Sequence, residues 1–151
     1  MQRLPVVIHE RLGAWSRQLR PRLAAWPIRW SETRSAADLE AALGRSACPI
    51  LVLDLADRPR AGLEDLGRAT LAAPGVLALV LDPGARPGVA LVAREFGATH
   101  VVSGVVPPPA VAALLERWLP LARRRADAAG WAASAAPDPD AWRLLGPAAH
   151  P

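Results

Sequence analysis

Four polar side chains directly follow apolar runs. His9 and Glu10 follow Val6-Val7-Ile8, Asp54 follows Ile50–Leu53, and Asp82 follows Val76–Leu81. Carboxylates gathered with an imidazole can bind a cation, take up a phosphoryl group or move protons. His9, Glu10, Asp54 and Asp82 are therefore the candidate acidic pocket. No local motif has metal-ligand spacing, so no metal is expected, with Glu10 and Asp54 the weak candidates. The run Glu10-Arg11-Leu12-Gly13 lacks the glycine pattern of a dinucleotide loop, and no serine sits in a nucleophile elbow. Cys48, the single cysteine, starts a buried run and reads as a packed thiol.

The charge balance limits the chemistry further. All 18 basic residues are arginine, and the formal net charge is +4. The sequence pI is about 11.1. The positive charge is spread along the chain rather than clustered, so it makes no nucleic-acid footprint. Arg123-Arg124-Arg125 reads as solvated charge ending a helix. No apolar run approaches the ~20 residues of a membrane span. The stretch before His9 is too short for a signal-peptide core. The expectation is a cytoplasmic protein with no nucleic-acid or membrane partner.

The elements that must position these residues alternate. Leu4–Ile8 reads as a strand. Arg11–Trp26 has apolar residues at helical spacing, with Pro21 expected to kink or divide it. Ile28–Thr33 alternates apolar and polar, as a half-buried edge strand would. Ser35 caps a helix over Ala36–Leu43. Pro49–Leu55 is a continuous apolar run ending in an acid, which marks a central parallel strand covered on both faces. A helix over Leu63–Ala73, a strand over Val76–Leu81, a helix over Pro87–Phe96, a strand over His100–Ser103 and a helix over Ala110–Arg124 complete the series. Trp15, Trp26 and Trp30 read as packing residues. Residues 1–125 form one α/β domain, and residues 126–151 form a Pro/Ala-rich tail expected to be mostly disordered. Within that tail, Asp140–Leu145 could form a docking turn.

Strand-helix alternation implies right-handed crossovers and a parallel sheet. At this length the expected architecture is a flavodoxin-like three-layer sandwich with strand order 2-1-3-4-5. In such folds ligands gather at the carboxyl ends of the strands, where His9, Glu10, Asp54 and Asp82 fall.

Two segments carry a family resemblance. Leu51-Val52-Leu53-Asp54-Leu55, with Gly62 in the following segment, resembles the phosphoacceptor strand of response-regulator receiver domains, the CheY-like form of this fold. Gly97-Ala98-Thr99-His100-Val101-Val102, followed by Pro107-Pro108 and a helix, resembles the family's fifth-strand segment. The resemblance spans Leu4 to Arg124. It implies a phosphoacceptor at Asp54, Mg²⁺ held by acids after the first strand, a hydroxyl after the fourth and a lysine after the fifth. Here the acidic pair reads His9-Glu10, the hydroxyl position falls at Leu81 or Asp82, and the lysine position reads Gly104. Phosphoryl transfer needs positive charge around the oxygens, and the crevice is expected to offer none.

The chain therefore reads as a non-catalytic pseudo-receiver, a protein-protein interaction module in bacterial signal transduction. The alternative is an atypical receiver phosphorylated on Asp54 in a two-component phosphorelay. No cofactor is expected, and Mg²⁺ only with a phosphorylated Asp54. By the same resemblance, a protein partner or a second copy would bind the face of the fourth helix, fifth strand and fifth helix. Val89, Val92, Phe96, Val105, Val106 and Trp118 would line it.

Overall fold

The apolar runs become a five-stranded parallel sheet, β1(Leu4–His9), β2(Ile28–Thr33), β3(Ile50–Asp54), β4(Leu77–Asp82) and β5(His100–Ser103), in the order β2-β1-β3-β4-β5. The structure is a computed structural model that describes residues 3–134, with burial described through Gly130. The helices between the strands are α1(Ala14–Arg22), α2(Ala36–Leu43), α3(Pro59–Ala72), α4(Val89–Glu95) and α5(Pro108–Ser134).

Because successive side chains of a strand point to opposite faces, each central strand feeds two cores. Val6, Ile8, Ile50, Val52, Leu79 and Leu81 pack with Leu19 and Leu23 near α1 and with Val111, Leu115 and Leu119 of α5. Val7, Leu51, Leu53, Ala78 and Val80 pack with Leu39 and Leu43 of α2, Leu66 and Ala69 of α3, and Ala93 of α4. This two-sided burial makes β1 and β4 buried along their whole length, while β2, at the sheet edge, is buried only at Ile28 and Thr33.

The helix ends follow local chemistry. The Ser35 hydroxyl accepts the Asp38 amide at 3.2 Å and donates to the Asp38 carboxylate at 2.7 Å, starting α2. Pro59 occupies the first turn of α3, where a missing N–H costs nothing. Helix α3 therefore starts four residues earlier than its apolar periodicity, because Pro59 opens it from within the Arg/Pro-rich loop. Gly62 lets α3 approach β3 closely, since a Cβ there would collide with the Leu55 side chain.

Three expectations are corrected. Helix α1 spans Ala14–Arg22 rather than Arg11–Trp26, because Gly13 takes a left-handed conformation with φ 71° that holds the preceding residues in a loop. Pro21 lies in the last turn, so it does not divide the helix. Helix α5 runs on through Pro120 to Ser134, so the change of character at Arg125 is not the end of the helix, and Arg123-Arg124-Arg125 lies inside it. The remaining tail, including Asp140–Leu145, lies outside the described residues. Among the described residues no helix is long and apolar enough to cross a membrane.

Candidate functional site

The carboxyl ends of β1, β2 and β3 open into a cleft of about 110 Å³. His9, Glu10, Arg11, Arg34, Asp54, Asp57, Arg58 and Asp65 line it. The sheet brings His9, Glu10 and Asp54 together because β1 and β3 are neighbours in register, with His9 opposite Leu53.

Each of these residues already has partners. Glu10 is buried, and its two carboxylate oxygens accept the main-chain N–H groups of Trp15 at 2.9 Å and Ser16 at 2.8 Å. These are amides of the first turn of α1, which lack partners within the helix, so Glu10 caps the positive end of the helix dipole. The His9 ring sits 2.9 Å from the Thr33 hydroxyl through Nδ1 and 3.1 Å from the Asp65 carboxylate through Nε2. His9 thus ties β1 to β2 and α3 with both nitrogens.

Asp54 is the half-buried member. Its Oδ1 accepts the Ala56 amide at 3.0 Å, a local turn of the loop. Desolvation by burial pushes its carboxyl above the ordinary carboxylate value, and the nearby Glu10 and Asp57 add to the rise. The Ala56 amide and the Trp15 indole oppose it.

Asp82 does not line this cleft, contrary to the sequence reading. Its carboxylate is fully buried and bonded within its own loop. It accepts the Arg86 main-chain N–H at 2.7 Å and the Arg86 guanidinium at 2.6 Å. The same guanidinium donates to the Ala56 carbonyl at 2.9 Å and the Leu55 carbonyl at 3.4 Å. Arg86 therefore straps the exit of β4 to the exit of β3. The tight return that permits this places Ala85 at φ 46°, a left-handed conformation unusual for a residue with a Cβ.

A second correction concerns charge. The crevice is not free of cations. Arg11, Arg34 and Arg58 line the cleft, each just beyond a strand, and none makes a side-chain hydrogen bond or ion pair among the described residues. They stand on three separate loops, none of them at Gly104, where the family resemblance places its cation. Asp65 and Thr33 were missed because no local pattern joins them to His9.

In the cleft both Glu10 oxygens accept α1 amides and both His9 nitrogens are bonded, whereas Asp54 Oδ2 and the Asp57 carboxylate make no hydrogen bond among the described residues. Among the described residues no group of three His, Cys, Asp or Glu side chains is arranged to hold a metal.

The six residues of the candidate interaction face are divided. Val89 packs against the core on the α2–α4 side, whereas Val106 and Trp118 pack against the α1–α5 side. Val92 is half-buried. Phe96 is 41% exposed and Val105 91%, and Leu91, which the sequence reading omitted, is 62% exposed.

Two outcomes follow from these contacts. Arg86→Met leaves the Asp82 carboxylate buried with only its main-chain donor, and is expected to cost about 2–3 kcal/mol in urea unfolding. Adding Asp82→Asn should recover part of the loss. Asp54 contributes in the opposite sense. Its folded-state value is raised, so the stabilising share of its protonated form is full below the ordinary carboxylate range and is lost as pH rises through the raised value. Asp54→Asn, neutral throughout and still able to accept the Ala56 amide, should raise the urea midpoint at pH 7 and lose that advantage on acidification.

No family model matches the chain, and no curated protein does. Solved structures do match its fold. A response-regulator receiver domain from Methanospirillum hungatei aligns with TM-score 0.68 and 15% identity, covering 82% of this chain and 98% of that one. The signal receiver domain of a Luxo repressor protein from Vibrio parahaemolyticus aligns with TM-score 0.65 and 15% identity, over 87% of this chain and 98% of that one. A pilus assembly-related protein from Burkholderia pseudomallei aligns with TM-score 0.59 and 22% identity, over 82% and 90% respectively. With its strand order and five helices, the chain has the CheY-like fold of response-regulator receiver domains.

Proposed function

We propose that this chain is a non-catalytic receiver-like module that acts in signal transduction by binding a protein. One observation carries the reading. The groups that would have to support a phosphoryl group at Asp54 are bonded elsewhere. Glu10 is spent on the α1 amides, His9 on Thr33 and Asp65, and Arg86 on Asp82 and two carbonyls. A phosphoryl oxygen arriving at Asp54 would meet no metal and no lysine. The reading of the chain as no enzyme rests on the same point.

The surface offered to a partner is the α4–β5 edge, where Leu91, Phe96 and Val105 stand exposed. Exposed apolar side chains such as Leu91 and Val105 there mark contact sites. The occupant is another signalling protein or a second copy of this chain.

The three arginines of the cleft favour a second reading. Arg11, Arg34 and Arg58 lie in the same cleft as Asp54 and are uncommitted. Guanidinium groups bind phosphoryl oxygens well, so they would serve an atypical phosphoacceptor that works without the family's lysine.

Acetyl phosphate with Mg²⁺, followed by intact-mass measurement, separates the two. The binding-module reading expects no phosphoryl adduct. An adduct on the wild type that disappears in Asp54→Asn would overturn it in favour of phosphoacceptance. Sedimentation then examines the partner surface: self-association lost on Val105→Glu identifies a second copy, and a strict monomer leaves a different protein as the occupant.

A further inference from the structure

The opposite end of the sheet holds a second cavity that the receiver-like reading does not use. It measures about 300 Å³ and is lined by Arg3, Leu4, Pro5, Ser46, Arg123, Ala126 and Asp127. Leu4 and Pro5 open β1, Ser46 lies in the loop before β3, and Arg123, Ala126 and Asp127 fall at positions three and four apart on α5. The cavity therefore exists because α5 continues past Arg125. It lies at the amino ends of the strands, whereas Asp54 lies at the carboxyl end of β3.

One atom there is unexplained. The Arg123 Nη2 is buried and has no hydrogen-bond partner among the described residues. A buried guanidinium N–H without an acceptor is costly, and native structures rarely leave one. Arg123 also lines the cavity, so a turn of its guanidinium would bring that donor to an acceptor held there.

We propose that this cavity binds a small organic monocarboxylate. The fork of a guanidinium matches the two oxygens of a carboxylate. Arg3 and Arg123 supply two positive charges and Asp127 one negative charge, which suits a monoanion and disfavours a dianion. Leu4, Pro5 and Ala126 give an apolar wall for the rest of the molecule, and the Ser46 hydroxyl adds a polar contact. A mostly apolar wall with a few convergent polar groups, at ~300 Å³, is the lower end of ordinary small-molecule sites.

Benzoate is a suitable probe, with neutral benzamide as its control, titrated into the ¹⁵N-labelled full chain. The expected result is saturable amide shifts at Leu4, Ser46, Arg123, Ala126 and Asp127 with benzoate and none with benzamide. Arg123→Gln should weaken benzoate at least tenfold. Arg3→Gln, which alters an exposed residue, should weaken it severalfold and keeps the test available if Arg123→Gln does not fold. Equal binding of benzamide, saturable shifts around Asp54 instead, or no saturable shift would each overturn the proposal.

Discussion

A carboxylate at the carboxyl edge of a parallel sheet is drawn partly out of water by the helices that cover both faces. It must find donors inside the protein or stay protonated. Here Glu10 finds two amides of α1, and Asp82 finds Arg86 through both main chain and side chain. Asp54 finds a single loop amide, and its carboxyl is raised accordingly. The rest of the crevice follows from this allocation. Glu10 and Asp82 face main-chain amides, and Asp82 a guanidinium as well.

The same allocation links structure to rigidity. Glu10 fixes where α1 begins, His9 joins β1 to β2 and α3, and Arg86 joins the β3 and β4 exits. The loops around Asp54 are tied by these side chains. What stays uncommitted is arginine on the rim of the cleft and apolar surface along α4 and β5.

Much of this was legible in the sequence, for physical reasons. Continuous apolar runs can only be strands covered on both sides, so β3 and β4 and the strand order were readable. The alternation of Ile28–Thr33 placed β2 at the edge. Ser35 and Gly44 marked the bounds of α2. The helix α5 was misjudged because Arg123-Arg124-Arg125 looks like a terminus. In fact Ala-rich sequence after it is good helix-forming material, and Arg123 turns inward. The site was only partly legible. That β1 and β3 ends converge follows from topology, but the His9–Asp65 contact joins residues 56 positions apart. The Asp82–Arg86 clamp depends on a left-handed Ala85 that no residue-type preference announces. The arginine rim escaped because each member lies on a different loop.

The proposal depends most on Glu10 being committed to the α1 amides and so unavailable to a cation beside Asp54. Mn²⁺, a paramagnetic stand-in for Mg²⁺, tests this directly when titrated into the ¹⁵N-labelled chain. The claim requires that the amides of Glu10, Ala56 and Asp57 show no saturable broadening beyond that of other exposed acidic sites. Saturable broadening centred on Glu10 and Asp54, abolished by Asp54→Asn, would contradict it and return the chain to the metal-dependent receivers.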